Sequence, residues 1–108
     1  MRFWIAVTRQ ESETDDRLKR TSPNDRISFY SPRPKQSFTA IGELTDSGVK
    51  MLSRAEVPVK SLIESLEFIR DKKSWGVFFR RGFFEISEAD FRKIETAMVR
   101  APEAAALP

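Results

Sequence analysis

Five consecutive apolar residues at positions 3–7, Phe-Trp-Ile-Ala-Val, constrain the fold of this chain more than any other feature. Residues of these types favour β-structure, and an unbroken apolar run, unlike an alternating one, is typical of a strand covered on both faces. We therefore predict a central strand over residues 3–7. Such a strand needs neighbouring strands at its sides and packed side chains above and below it.

Three further segments have the pattern of strands. Residues 26–30 follow Ser-Pro-Asn-Asp at 22–25, which is a turn sequence because Pro presets φ and Asn and Asp tolerate the bend. Residues 38–44 form another candidate, in which Gly42 indicates a bulge or the close approach of another backbone. Residues 49–52 are a weaker candidate.

The apolar period then changes from that of a strand to that of a helix. Apolar residues recur at helical spacing in Val59, Leu62, Ile63, Leu66 and Ile69, which predicts an amphipathic helix. Residues 75–86 read as extended chain around a turn at Gly82. Ser87 and Asp90 resemble a capping box and predict a second helix over residues 88–99. The order of elements predicts an α+β fold with a curved sheet or partly open barrel and helices against its side.

Length and composition limit the possible mechanisms. The 108 residues suffice for one domain, predicted over residues 1–100, with a flexible tail over 101–108. The chain has no Cys and no His, which excludes disulfides, thiolate nucleophiles, imidazole chemistry and Cys/His zinc sites. We predict no catalytic residues, metal or cofactor. No apolar run is long enough for a membrane span and no signal peptide is apparent, so a soluble, cytoplasmic protein without membrane contact is expected.

Cations and rings are interleaved in the segment 68–91. Trp75, Phe78 and Phe79 lie between cations on both sides, and the whole chain carries a net charge of +3. The five cations are Arg70, Lys72, Lys73, Arg80 and Arg81. Cations neutralise phosphates and flat rings stack on exposed bases, so this mixture favours nucleic-acid binding. The alternative is that the rings are core and the cations line a solvated face, which we favour for the Phe residues but not for Trp75.

Two other places are weaker candidates for a binding site. Trp4 has an indole N–H that needs an acceptor when buried, so it could line a cavity or simply pack in the core. The stretch Tyr30 to Arg33 combines hydroxyls with a guanidinium, which suits a base edge or a phosphate, although an ordinary turn explains it equally well. The acidic residues at 11–16 fit a solvated surface better than a catalytic site. Glu43 and Glu85 leave a metal-dependent nuclease as a minor possibility.

Several of these segments, in this order, resemble the EVE domain family. They are Phe3–Val7, Pro23–Pro32, Phe38–Glu43, the stretch from Leu62 to Gly76 and the stretch from Gly82 to Phe91. The most specific is Phe68-Ile69-x-x-Lys72-Lys73-x-Trp75-Gly76. The chain departs from the family in its polar run over 10–20, where members carry a longer stretch with a helix and a Gly-rich segment. It is also shorter between residues 33 and 38 and between 45 and 49.

The resemblance implies a PUA-like fold, a twisted pseudobarrel of about five or six strands with flanking helices, related to the YTH and ASCH domains. It implies recognition of modified bases in DNA or RNA and no catalytic activity. The matching positions make Trp4, Thr8, Tyr30, Ser31 and Trp75 the candidate pocket residues.

Our hypothesis from the sequence is therefore a non-enzymatic nucleic-acid reader. The nucleic-acid backbone would be held by five cations, Arg33, Lys72, Lys73, Arg80 and Arg81. Two alternatives remain at this point: an RNA-processing enzyme of the ASCH type that uses a Lys or a Tyr, and a protein-interaction module with no nucleic-acid contact.

Overall fold

The computed structural model describes residues 1–7, 21–32, 34–46 and 48–100. These residues form an α+β fold with a five-stranded mixed sheet and one α-helix. The elements are β1 (Phe3–Val7), β2 (Arg26–Ser31), β3 (Ser37–Thr45), β4 (Gly48–Pro58), β5 (Phe83–Ile86) and α1 (Glu88–Arg100). The predicted α+β class is confirmed, and the sheet formed by the described residues is open. No helix in these ranges is both long and apolar enough to cross a membrane.

The strand order is β4-β3-β2-β1-β5, which gives β1 a neighbour at each side. β1 pairs in parallel with β2 and antiparallel with β5, and the other neighbouring pairs are antiparallel. All five residues of β1 are buried. The prediction of a strand covered on both faces is confirmed.

The residues of β1 alternate between two apolar clusters on the two faces of the sheet. Phe3, Ile5 and Val7 belong to the larger cluster, which includes the apolar side of α1; we call this side of the sheet the helix face. Trp4 and Ala6 belong to a smaller cluster on the second face. The alternation follows from the two-residue period of a strand. This alternation decides which of the predicted pocket residues can line the same cavity.

The turn at residues 22–25 forms as predicted. Asn24 has φ +78° and the Asp25 N–H donates to the Ser22 carbonyl at 3.1 Å, which is the geometry of a turn with Pro before a left-handed Asn. The buried Asp25 carboxylate accepts hydrogen bonds from the Arg2 N–H (2.9 Å), the Trp4 Nε1–H (3.0 Å) and the Ser22 N–H (3.0 Å). Burial by itself would raise the pKa of Asp25, but these hydrogen bonds outweigh it and the pKa is lowered.

Strand β3 confirms the interpretation of Gly42. A Cβ at this position would lie 2.5 Å from Val49 Cγ1 and 3.3 Å from the Lys50 carbonyl oxygen, and the pairing register shifts between Ile41 and Gly42. Strand β4 is longer than predicted, since it continues from the weak candidate at 49–52 to Pro58. The exposed residues along β4 explain why its apolar pattern is weak.

The predicted helix over residues 59–69 is wrong. The chain makes a single 3-10 turn at Val59–Ser61 and then a series of turns. Val59, Ile63, Leu66 and Ile69 are nevertheless buried, so the spacing of apolar residues correctly indicated burial but not helix.

Side chains satisfy the backbone groups that a helix would have paired. Ser61 Oγ donates to the Pro58 carbonyl (2.7 Å) and Ser65 Oγ donates to the Leu62 carbonyl (3.4 Å). The Asp90 carboxylate accepts the N–H groups of Glu67 (2.8 Å) and Phe68 (3.0 Å), which in an α-helix would donate four residues back. These bonds compete with the helical ladder and stabilise an irregular loop.

The predictions for residues 75–99 are partly right. Trp75–Phe79 is a 3-10 turn and not extended chain, whereas the Gly82 turn, with φ +79°, and the following strand are as predicted. The C-terminal helix runs over Glu88–Arg100, and the Asp90 N–H donates to Ser87 Oγ at 3.1 Å. Ser87 therefore caps the helix as predicted, but the Asp90 carboxylate binds the 67–68 backbone. The predicted tail at 101–108 lies outside the described residues.

The three hydrogen bonds to the Asp25 carboxylate give a test of how the turn at residues 22–25 contributes to stability. Asp25→Asn replaces one acceptor oxygen by an amide donor that faces N–H groups, and we expect a loss of about 1–3 kcal/mol in the free energy of unfolding at pH 7. Because the folded pKa of Asp25 is lowered, its contribution is present above about pH 4 and is lost as the pH falls through the folded pKa. Urea unfolding at pH 7 and pH 3 should therefore show the two proteins converging in acid.

The exposed Asp46 provides the control for this measurement. Asp46→Asn should leave the free energy of unfolding within about 0.5 kcal/mol of the unsubstituted protein. A difference for Asp25→Asn that stays the same at both pH values would contradict the assigned role of the carboxylate.

Candidate functional site

A cavity of about 510 Å³ opens on the helix face, where the ends of β1 and β2 meet the loop after Ser74. We call it the Trp75 cavity. Its apolar and aromatic lining residues are Val7, Tyr30, Pro32, Trp75, Val77 and Phe79, and its other lining residues are Gln36, Lys73, Ser74, Gly76 and Arg80. It therefore has an apolar floor and a cationic, polar rim.

The rings of the cavity are ordered by mutual packing. The Tyr30 and Phe79 rings stack with centroids 4.1 Å apart and planes 17° from parallel. The Trp75 ring stands at 80° to Phe79 with a centroid distance of 6.2 Å. Tyr30 and Phe79 are almost fully buried, whereas Trp75 is half-buried, so Trp75 offers the most accessible aromatic surface of the cavity.

Tyr30 contributes a neutral phenol to the floor. Its side chain is buried against Phe38 and Phe79, and burial raises the pKa of Tyr30 to about 12 because the charged phenolate would be poorly solvated there. At neutral pH the hydroxyl is therefore protonated. It is able to donate a hydrogen bond but is a weak base.

The segment of chain before Trp75 is held in place by hydrogen bonds from the side chains of Lys72 and Asp71 to the backbone. The Lys72 ammonium donates to the carbonyls of Leu66 (3.0 Å) and Ile69 (2.7 Å). Asp71 Oδ1 accepts the N–H groups of Lys73 (3.0 Å) and Ser74 (3.4 Å), which forms the turn just before Trp75. With the Asp90 bonds to the backbone of 67–68, these contacts fix an irregular loop that lacks regular secondary structure.

Two cations at the rim are available to a ligand. Lys73 and Arg80 are exposed, and their side chains make no hydrogen bond or ion pair with other residues in the described ranges. Arg81 is also exposed and places its guanidinium over the Phe84 ring, 5.3 Å from the centroid, outside the cavity lining.

Two other hollows of about 520 Å³ differ in composition. One lies beside the start of α1 and includes the carboxylates of Glu67, Glu85 and Asp90. The other lies between β4 and the end of α1, and no aromatic residue is among its described lining residues. Only the Trp75 cavity, among these three, combines a half-buried indole with a rim free of described carboxylates.

Trp4 does not lie where the pocket prediction put it. Its side chain is only 2% exposed, stacks on Phe83 with centroids 4.9 Å apart, and donates its indole N–H to Asp25. In the parallel β1–β2 pair Trp4 is opposite Ile27, whereas Val7 is opposite Tyr30. Trp4 is therefore a core residue of the second face, and Val7 takes its place at the cavity.

The remaining predicted residues divide into three groups. Tyr30, Trp75, Lys73 and Arg80 line the same cavity, whereas Ser31 and Arg81 are not among its lining residues. The Lys72 ammonium donates to two backbone carbonyls within the protein and is not among the residues that line the cavity. Thr8 and Arg33 lie outside the described residues.

Sequence reasoning missed Gln36, Ser74 and Val7 as lining residues, and it missed the role of Asp90. Asp90 had a signal, since its position in the predicted capping box marked it as a hydrogen-bonding acid. Gln36 had none, because only the pairing of β2 with β3 brings it to the cavity that Tyr30 lines. Its positive φ of 45° is a feature of the folded turn.

The described residues define a small α+β domain with a cavity that has aromatic lining residues and two cations at its rim. Comparison with known proteins gives the family: the chain belongs to the UPF0310 family. It is 38% identical to the UPF0310 protein in gntR 5′ region of Bacillus licheniformis, over 77% of this chain and 72% of the relative. It is also 38% identical to a UPF0310 protein of Mycolicibacterium vanbaalenii, over 76% of this chain and 72% of that protein. No family profile matches the chain.

Two solved structures share the fold at low sequence identity. The NMR structure of Rpa0253 from Rhodopseudomonas palustris superposes with a TM-score of 0.60 and 9% identity, covering 92% of this chain and 94% of that one. The crystal structure of Atu2648 from Agrobacterium tumefaciens gives the same TM-score and identity, with coverage of 95% and 98%. At 9% identity the likeness concerns the fold alone.

The contrast between neighbouring lysines provides a test of the loop. Lys72→Met keeps the aliphatic stem but removes the ammonium that binds two carbonyls, and we expect a loss of about 1.5–3 kcal/mol in the free energy of unfolding. Lys73→Met changes an exposed side chain and should stay within about 0.5 kcal/mol of the unsubstituted protein. Chemical denaturation measures both, and equal stability of the two variants would contradict the described hydrogen bonds.

Proposed function

We propose that this chain is a non-catalytic nucleic-acid-binding domain that reads a modified base in DNA or RNA. A flipped or single-stranded base enters the Trp75 cavity, stacks on the indole and places its modification against the apolar floor. The observation that carries the proposal is the position of Trp75, half-buried on the wall of a cavity of about 510 Å³ with Lys73 and Arg80 beside it.

The size and chemistry of the cavity suit a single base. Pockets that enclose small molecules typically measure about 300–1,000 Å³, so the cavity has room for one base and part of its sugar. The apolar floor of Val7 and Phe79 would desolvate a methyl-sized group, and Gln36 and Ser74 supply polar groups for a base edge. An unstacked base is the form in which proteins recognise modifications through such pockets.

The rim charges suit a phosphate backbone. Lys73 and Arg80 stand at the cavity and Arg81 beyond it, and the chain as a whole carries a net charge of +3. Cations that contact phosphates release counterions, so binding would weaken as salt rises. Lys73 and Arg80 are exposed and have no described hydrogen-bond or ion-pair partner for their side chains, so they are accessible for such a contact.

We also propose the finer fold assignment implied by the resemblance to the EVE domain family, a PUA-like twisted pseudobarrel with flanking helices. The five-stranded mixed sheet supports it. A second support is the Phe-Ile-x-x-Lys-Lys-x-Trp-Gly motif, which contributes Lys73, Trp75 and Gly76 to the cavity. A reader of this kind would meet its nucleic acid in the cytoplasm.

An RNA-processing enzyme of the ASCH type is the second candidate, because Tyr30 and Lys73 both lie at the cavity. The raised pKa of Tyr30, about 12, counts against it as a general base at neutral pH. Incubation of labelled RNA with the protein, with and without divalent metal, tests this candidate. Cleavage that depends on Tyr30 or Lys73 would favour the enzyme over the reader.

Trp75→Ala tests the proposed function directly. Base stacking on an aromatic side chain contributes about 1–3 kcal/mol per base, so the variant should bind the preferred modified oligonucleotide about 5- to 150-fold more weakly. Fluorescence anisotropy against a panel of short oligonucleotides with different modified bases, measured beside unmodified ones at fixed salt, gives the affinities. The preference for the modified base should disappear with the indole.

Leu52→Ala is the matched control, since Leu52 is an exposed apolar residue on β4 and is not among the residues that line the Trp75 cavity. It should bind like the unsubstituted protein. If Trp75→Ala kept both the affinity and the preference, the cavity would not be the base-binding site. If no oligonucleotide bound to the unsubstituted protein at low salt, a protein-interaction module would be the better assignment.

A further inference from the structure

The charged residues among the described lining of the Trp75 cavity have one sign. Lys73 and Arg80 line it, and no Asp or Glu is among its described lining residues. The acid nearest in sequence to this wall, Asp71, already accepts the backbone N–H groups of Lys73 and Ser74. The described part of the cavity therefore holds two cations and no carboxylate to balance a third positive charge.

The aromatic surface does not compensate for these charges. Proteins that bind cationic ligands without a carboxylate surround them with several ring faces. Here one face of Tyr30 is covered by the stacked Phe79, and the Phe38 ring packs edge-on against Tyr30. Among the described lining rings only Trp75 is more than slightly exposed, so this part of the cavity has a single stacking wall and not a cage.

We propose that the cavity selects its base by charge: it accepts a neutral or anionic modified base and excludes one that carries a fixed positive charge. This inference rests on the proposed function. A cationic base, alkylated on a ring nitrogen, would sit beside Lys73 and Arg80 in a partly desolvated site, where repulsion between like charges is stronger than in water. A neutral base with a substituent on carbon or on an exocyclic group meets no such penalty.

Isomeric pairs of methylated bases separate charge from size. The pairs are N6-methyladenine with 1-methyladenine, 5-methylcytosine with 3-methylcytosine, and N2-methylguanine with 7-methylguanine, each placed in the same short single strand. Within each pair the methyl group moves, and at about pH 6, where binding is measured, the second member carries a net positive charge. For every pair that binds, we expect the neutral member to bind at least about tenfold more tightly.

Charge-reversed variants test whether the selection is local. Lys73→Glu combined with Arg80→Glu should weaken binding in general but should abolish or invert the preference within a pair. Lys50→Glu reverses an exposed charge on β4, outside the cavity lining, and should leave the preference unchanged. If Lys50→Glu changed the preference as much as the double variant does, the effect would come from overall charge, and the inference would be overturned.

The outcomes distinguish the two proposals. Equal affinity for both members of a pair, with clear binding, would overturn the charge selection and leave the proposed function standing. If neither the six oligonucleotides nor their three unmodified counterparts bound to the protein, the proposed function would be overturned and the inference with it. Far-ultraviolet circular dichroism of each variant verifies that the exposed substitutions leave the fold intact.

Discussion

The Asp90 carboxylate is the contact on which the candidate site depends. It stands in the first turn of α1, is almost fully buried, and accepts the backbone N–H groups of Glu67 and Phe68. A buried carboxylate must have its hydrogen bonds satisfied, so this contact ties the irregular loop to the helix. The side chains of Lys72 and Asp71 hydrogen-bond to the backbone of the same loop just before Trp75. The cavity wall is thus a loop whose shape is set by three charged side chains.

The second constraint is the alternation of side chains along β1. Its two apolar clusters lie on opposite faces of the sheet, and the parallel register with β2 puts Val7 beside Tyr30 and Trp4 beside Ile27. Trp4 and Trp75 therefore have different roles despite their shared chemistry. Trp4 joins the Asp25 turn to the second face, and Trp75 lines the cavity on the helix face.

Much of the sheet could be predicted from sequence because its signals are local. The apolar run at 3–7, the turn at 22–25 and the close approach at Gly42 each depend on residues near one another in the chain. The loop over 59–74 could not, because the groups that replace helical hydrogen bonds come from Asp90 in a later element and from Lys72 at the end of the loop. Apolar spacing reports which residues are buried and does not identify their hydrogen-bond partners.

The same distinction separates the site residues. Trp75, Lys73 and Arg80 were predicted because cations and an exposed ring stood close in sequence, and Tyr30 because it ended a strand. Placing Trp4 with them required the register of β1 against β2, which a single sequence does not contain. Lys72 and Lys73 are equivalent in sequence, and only the loop geometry assigns one to the backbone and the other to the cavity rim.

The indole N–H resonances of the two tryptophans give the most direct measurement of the central claim. Titration of ¹⁵N-labelled protein with a short single strand that contains a neutral modified base is followed by two-dimensional NMR. We expect the Trp75 indole signal to shift and saturate with ligand, while the signal of Trp4, hydrogen-bonded to Asp25 on the other face, stays in place. A shift confined to Trp4, or none at Trp75 at saturating ligand, would contradict the central claim.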